Sequence, residues 1–207
     1  MPDFSYEHSI RARGVMRIAG VDEAGRGPLA GPVLAAAVVL PMDFCCDGLD
    51  DSKKLSVKKR ARIYDQIVGD PQVHWAYGLA SCEEIDRINI LRATHLAMHR
   101  AVEKLKPPPD YCLIDGLPVN GFAWPHDAIV KGDSHSLSIA AASIIAKVTR
   151  DRIMEEIDRE FPQFGFARHQ GYGTKEHLEA LRIHGPCRHH RRSFQPIAQL
   201  ALPLDLG

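Results

Sequence analysis

Residues 17–40 read RIAGVDEAGRGPLAGPVLAAAVVL, and the punctuation of this stretch decides the fold class. An apolar run over 18–21 ends in the acidic pair Asp22-Glu23. A turn rich in glycine, Gly25-Arg26-Gly27-Pro28-Leu29-Ala30-Gly31, follows, and residues 33–40 form a second, wholly apolar run. Two such runs separated by Gly and Pro predict neighbouring strands. Working outward, VHWAYGLA at 73–80 alternates the β-favouring Val73, Trp75 and Tyr77 and predicts a third strand. Shorter strands are expected at 111–114 and 128–130. Between and after them the pattern is helical. One helix starts at Ser56 and runs toward Val68, and one over 90–105 is ended by the prolines at 107–109. A long one covers SLSIAAASIIAKVTRDRIMEEIDREF (136–161), and a last one runs from Thr174 to His184 and stops at Gly185-Pro186. Antiparallel strands followed by alternating strands and helices imply an α/β protein, a mixed β-sheet flanked by helices. Residues 1–16 read as a short, loosely attached N-terminal extension, leaving 17–207 as one domain.

The chain has 207 residues, with 26 Lys and Arg against 26 Asp and Glu and a formal charge of zero. The length is ample for a hydrophobic core. With 45% apolar and 25% charged residues, collagen-like, disordered and coiled-coil chains are excluded. No apolar stretch approaches a bilayer span and the N-terminus lacks the apolar segment of a signal peptide, so no membrane association is expected. Cys45, Cys46, Cys82, Cys112 and Cys187 form an odd, scattered set without a C-x-x-C pair. That argues against a disulfide scaffold and for the reducing cytoplasm. No heptad or extended apolar patch implies an oligomer, and a monomer is expected.

Three apolar strands finish in acids beside glycine: GVDEAGRG, LIDG and VKGDS. Acids are disfavoured inside strands, so their recurrence at strand ends places Asp22, Glu23, Asp115 and Asp133 at one shared sheet edge. Four converging carboxylates need counter-charge, and hard oxygen donors favour Mg²⁺ or Mn²⁺ over zinc. Two such ions per site suit phosphodiester cleavage. Taken singly, each segment also reads as an ordinary turn, with Asp133 at a helix start that Ser134 or Ser136 caps. Glu23 carries a geometric objection, because adjacent strand residues point to opposite faces; it joins Asp22 only if the strand bends or ends there.

The glycine turn is not a dinucleotide fingerprint: its spacing is G-x-G-x-x-x-G, a strand follows it, and two carboxylates precede it. It suits close backbone approach to a ligand, with Arg26 as a fork for phosphate, or else a plain hairpin turn. Between Gly165 and Gln195, six Lys and Arg (Arg168, Lys175, Arg182, Arg188, Arg191, Arg192) face two acids, Glu176 and Glu179, among Phe166, Tyr172 and Phe194. This reads as a surface tracking phosphates, or as a solvated helix face with a basic end. The zero total charge is then a sum of an acidic cluster and a basic tail. A zinc site from His184, Cys187, His189 and His190 is not supported by their spacing.

Over residues 17–198 the chain resembles the type 2 ribonuclease H family, specifically ribonuclease HII. The resemblance rests on GVDEAGRGPLAGPV, DDSKKLS, EEIDRINILRATHLAM, LIDG, KGDSHSLSIAAASIIAKVTRD, HQGYGTKEHL and HGPCRHHRRSF, in that order. It implies a ribonuclease H-like fold with a C-terminal helical extension. It also implies hydrolysis of the RNA strand of RNA–DNA hybrids, and incision 5′ of ribonucleotides embedded in duplex DNA, dependent on Mg²⁺ or Mn²⁺ and leaving 3′-hydroxyl and 5′-phosphate ends. Carried onto this sequence, Asp22, Glu23, Asp115 and Asp133 would be the catalytic, metal-binding acids. Gly25, Arg26 and Gly27 would read the ribose 2′-hydroxyl, and Tyr172 would stack on the sugar after the ribonucleotide. Lys53 and Lys147 would contact phosphates. Asp133 as fourth acid and the short N-terminus resemble ribonuclease HII rather than HIII, while Gln170 stands where relatives often have Lys. Rival readings are a non-catalytic nucleic-acid-binding module of the same fold and a phosphatase for small phosphate esters. The quartet of acids argues against the first and the long basic and aromatic tail against the second.

Overall fold

The computed structural model of the protein describes residues 1–50, 52 and 55–200. The opening stretch forms β1 (Ile18–Ala24) and β2 (Val33–Val39), paired antiparallel with Asp22 opposite Ala36. β3 (His74–Ala80) adds antiparallel to β2. On the other side β4 (Tyr111–Asp115) runs parallel to β1, and β5 (His126–Ile129) runs parallel to β4. The order is β3-β2-β1-β4-β5, a mixed sheet, with antiparallel pairing among the first three strands and parallel pairing thereafter.

Helices cover both faces, which is why β2 is apolar at every position rather than alternating. In chain order they are α1 (Ser5–Arg11), α2 (Val57–Gly69), α3 (Cys82–Ile88), α4 (Ile90–Glu103), α5 (Leu137–Glu160), α6 (Phe166–His169), α7 (Lys175–His184) and α8 (Ile197–Leu200). α4 packs Ala93, Ala97, Met98 and Ala101 against Ala19, Val21, Ala35 and Ala37. On the opposite face α2 and α5 pack Ile63, Ile67, Ala141 and Ile145 against Leu34, Ala36 and Val38. Each Ile or Leu so buried contributes roughly 1.5–3 kcal/mol. Small residues let the layers approach closely. At Gly20 an added Cβ would lie 2.1 Å from the Ser138 carbonyl carbon, so only glycine admits the start of α5 over the strand that carries Asp22.

Ser56, Ser136 and Thr174 cap α2, α5 and α7, each side chain accepting from a backbone N–H three residues on. β5 begins two residues earlier than the apolar pattern predicts, because His126 is drawn into register with Cys112 and its ring holds Val119 N–H at 3.3 Å. The short helices α3, α6 and α8 span too few turns to leave a periodic signal.

Residues 1–16 are not the loose extension expected. Glu7 in α1 is 3% exposed and accepts from the hydroxyls of Ser136 and Ser138, at 2.6 and 2.5 Å. The backbone of Asp3 donates to His135 C=O and accepts from Leu137 N–H. The sequence hides this because the contacts are polar and their partners lie some 130 residues away. All five cysteines are free thiols, and no helix among the described residues is long and apolar enough to cross a membrane.

Candidate active site

The carboxyl end of β1, the end of β4 and the turn after β5 meet at one edge of the sheet, and each delivers an acid. Asp22 accepts from Glu23 N–H (2.7 Å), and Ser143 of α5 hydrogen-bonds its carboxylate. Asp115 Oδ1 accepts from Gly132 N–H at 2.7 Å, which ties the end of β4 to the turn carrying Asp133. That turn is a short 3-10 segment, Gly132–Ser134, entered through Lys131 in the left-handed region at φ 58°. It turns Asp133 inward, and Ser136 rather than Ser134 caps the following helix. Oxygens of Asp22, Asp115 and Asp133 lie within 4.8 Å of one another.

Glu23 reaches the site differently. β1 neither bends away nor stops at Asp22, since its ladder with β2 continues to Ala24 opposite Leu34. Pairing with β4 does stop, at Val21 opposite Ile114, so beyond that point β1 is a sheet edge. Asp22 leaves this edge toward α5, and Glu23 leaves it on the α4 side, beside Thr94, His95 and Met98. Both line one cavity of about 230 Å³, with Asp115, Gly25, Arg26, Gly27, Lys147 and Tyr172 also in its wall.

Burial, followed by the negative charges of Glu23 and Asp115, raises Asp22 well above the ordinary carboxylate range. Such a cluster, built only of oxygen donors and already short of positive charge, fits hard divalent cations. Four cations line the same cavity: Arg26, Arg60, Lys147 and Arg150. Arg26 lies 3.5 Å from Glu23, and Lys147 bonds Asp151 at 2.6 Å. Arg60 donates to the carbonyls of Ser52 and Leu55.

Two buried arginines shape the glycine turn. Arg191 donates to the carbonyls of Gly31 (3.0 Å), Arg26 (2.9 Å) and Gly25. Arg150 donates to those of Pro32 (3.0 Å), Ala30 (3.1 Å) and Gln170 (3.1 Å). Gly25 stands at φ +94°, and a Cβ there would lie 2.0 Å from Arg150 Nε, so the turn requires glycine twice over. Leu29 N–H donates to Gly171 C=O at 2.8 Å, joining the turn to the segment that carries Tyr172. Tyr172 is half exposed, with its ring edge nearest Gly27.

The basic tail is thus different from the surface the sequence suggests. Arg191 is wholly buried, while Arg168, Arg182 and Arg188 pair with Glu176, Glu179 and Glu160. The first two pairs use the segment's own acids, so of its excess charge the Glu160 pair offsets Arg188. Of the expected phosphate contacts, Lys147 lines the cavity and Lys53 lies outside the described residues. Sequence reasoning missed Ser143 and Arg150, although Ser143, Lys147 and Arg150 recur at helical spacing on one face of α5, which was signal enough. Of the residues weighed for zinc, His190 hydrogen-bonds His177 at 3.0 Å in the core.

The sequence profile of the family described as Ribonuclease HII matches residues 19–197. A ribonuclease HII of Geobacillus kaustophilus is 54% identical over 195 residues, covering 94% of this chain and 74% of the relative. One from Ruegeria pomeroyi is 53% identical over 200 residues, covering 96% and 85%. Among solved structures, the ribonuclease H2 of Pyrococcus horikoshii OT3 superposes with a TM-score of 0.74 at 25% identity, over 89% of this chain and 97% of that one.

Proposed function

The chain belongs to the ribonuclease HII family and is a ribonuclease H, and from that premise we propose that it cleaves the RNA strand of RNA–DNA hybrids. We propose further that it incises duplex DNA 5′ of embedded ribonucleotides, leaving 3′-hydroxyl and 5′-phosphate ends. The observation that carries this reading is the meeting of Asp22, Asp115 and Asp133 oxygens within 4.8 Å of one another, with Asp22 and Asp115 lining a cavity that the glycine turn and Tyr172 also line.

Asp22, Asp115 and Asp133, with Glu23 from the α4 side, would hold two divalent ions, Mg²⁺ or Mn²⁺. When bound, these ions supply the positive charge that activates a water and stabilises a departing 3′ oxygen. The chain's own groups do the rest. Gly25, Arg26 and Gly27 present backbone with no side chain in the way, against which a ribose 2′-hydroxyl can be told from a hydrogen. Tyr172 offers an aromatic face to the next sugar. Arg26 and Lys147, and Lys53 from outside the described residues, take the phosphates. No side-chain nucleophile is required. The enzyme is read as a cytoplasmic monomer.

The test is duplex DNA carrying one ribonucleotide, incubated with Mg²⁺, Mn²⁺ or EDTA. Incision 5′ of the ribonucleotide is expected with either metal and none with EDTA. Asp115→Asn should abolish turnover while binding of the hybrid persists. Cutting in EDTA, or full activity of Asp115→Asn, would sink the reading.

A further inference from the structure

Behind Tyr172 lies a group of three buried histidines that the chemistry above does not use. His169, His177 and His190 are 8%, 0% and 1% exposed and sit against Phe164 and Phe166. The rings of His169 and His177 stack at 4.7 Å. Their hydrogen bonds fix every proton. A carbonyl only accepts, so His177 donates from Nδ1 to Tyr172 C=O (2.9 Å), leaving Nε2 as its acceptor. Cys187 N–H donates to His190 Nδ1 (2.9 Å), so His190 carries its proton on Nε2 and gives it to His177 Nε2 at 3.0 Å. His169 donates from Nε2 to Phe164 C=O (2.8 Å) and accepts from Gly171 N–H at 3.2 Å. All three rings are satisfied only when neutral, each in one tautomer. A second proton on either member of the His177–His190 pair would set N–H against N–H.

The chain of bonds ends on the residue that faces the substrate. Tyr172 N–H donates to His169 C=O (2.9 Å), and its carbonyl accepts from Thr174 N–H (2.8 Å) as well as from His177. The ring carried by that backbone leans toward Gly27, where a Cβ would be 3.6 Å from Tyr172 Cε1.

We propose that His177, oriented by His190, is a positioning residue for Tyr172, and that this pair of fixed tautomers sets how well the enzyme recognises a single ribonucleotide at its junction with DNA. The inference rests on the reading of Tyr172 as the group that stacks on the neighbouring sugar. Burial supports it by keeping the rings neutral: His177 is held below the usual imidazole range and His190 down to about 4.

Two measurements on the whole protein test it. Long-range proton–nitrogen spectra of protein labelled at histidine should show His177 protonated on Nδ1 and His190 on Nε2, with neither titrating near neutrality. His177 protonated on Nε2, or either ring titrating near pH 6.5, would overturn the proposal. The second measurement is the ratio of kcat/KM on a single embedded ribonucleotide to that on a long hybrid. Tyr172→Ala and His177→Phe should each lower the ratio about tenfold, the scale of one lost hydrogen bond. His177→Asn, whose amide nitrogen falls where Nδ1 stood, should recover most of it. The double variant Tyr172→Ala, His177→Phe should be no worse than Tyr172→Ala. A ratio lowered by Tyr172→Ala but untouched by both His177 variants refutes the positioning role. A ratio untouched by Tyr172→Ala instead refutes the junction role of Tyr172, and with it the selectivity assigned to the histidines.

Discussion

Asp22 shows what a single residue of this site gives up for its task. It is buried, it feels the negative charges of Glu23 and Asp115, and its carboxyl is raised well above the ordinary range. A carboxyl raised on folding favours the folded state only at low pH, and that contribution is lost as pH rises through the folded value. Wherever Asp22 is ionised without metal, it therefore weakens the fold. Asp22→Asn should raise the melting temperature of the metal-free protein, by about 2–4 °C per kcal/mol recovered in a chain of this size. The same variant should lose most of the stabilisation that Mg²⁺ gives the parent. Calorimetry with and without EDTA checks both, and a lower metal-free melting temperature would contradict the account.

Among the elements, the glycine turn depends most on distant support. Its carbonyls at Gly25, Arg26 and Gly31 converge on the guanidinium of Arg191, which burial, then the nearby Arg150, lower to about 10. Removing the fork leaves buried acceptors unpaired, at about 1–3 kcal/mol each. Arg191→Gln should therefore cost about 2–4 kcal/mol of unfolding free energy and raise KM for the hybrid. Arg191→Lys should rescue little, because one ammonium cannot span three carbonyls in a plane. Urea denaturation of both variants decides; full stability in the Lys variant would show the fork to be dispensable. The turn also marks what the sequence discloses. Gly25, Arg26 and Gly27 stand out beside two acids, and strands ending in Asp22, Asp115 and Asp133 announce a common edge. Arg191 reads as one more tail cation, because nothing local distinguishes a buried guanidinium from a solvated one when its partners are carbonyls about 160 residues away. Glu23 is the intermediate case: strand periodicity flagged the difficulty, but only the end of pairing with β4 shows how both acids reach one cavity.

Across the whole molecule, the neutral total charge is indeed divided, but not as an acidic site and a basic tail. Asp22, Glu23 and Asp115 share the lining of one cavity with Arg26, Arg60, Lys147 and Arg150, while three arginines of the tail pair with nearby glutamates. Exposed pairs of that kind are screened by water and add little to stability. The tail's larger contribution to stability versus pH comes from its histidines. Around His177 stand His169 and His190, and around His190 stand His177, His189, Arg192, Cys187, Glu83 and Asp86. Folding holds His190 neutral down to about 4, whereas the unfolded chain protonates its histidines near 6.5. Its contribution is complete above pH 6.5 and drains away as the pH falls toward 4. Asp22 acts in the opposite sense, so the measurement belongs in Asp22→Asn; Glu84, held by Arg100 down to about 2, titrates below this window. The melting temperature of that variant should fall steadily from pH 7 to pH 4.5, and a flat profile would refute the assignment.

The docked N-terminus alters how the protein should be handled. Asp3 is laced by its backbone to His135 and Leu137, two and four positions beyond Asp133, and Glu7 seals the start of α5. A leader that sequence inspection invites one to trim is thus a brace beneath one of the acids. Shortening it for expression, or burying it under a rigid fusion partner, alters the scaffold of the active site itself. Met1 is exposed, so a flexible tag can be attached there without disturbing that brace.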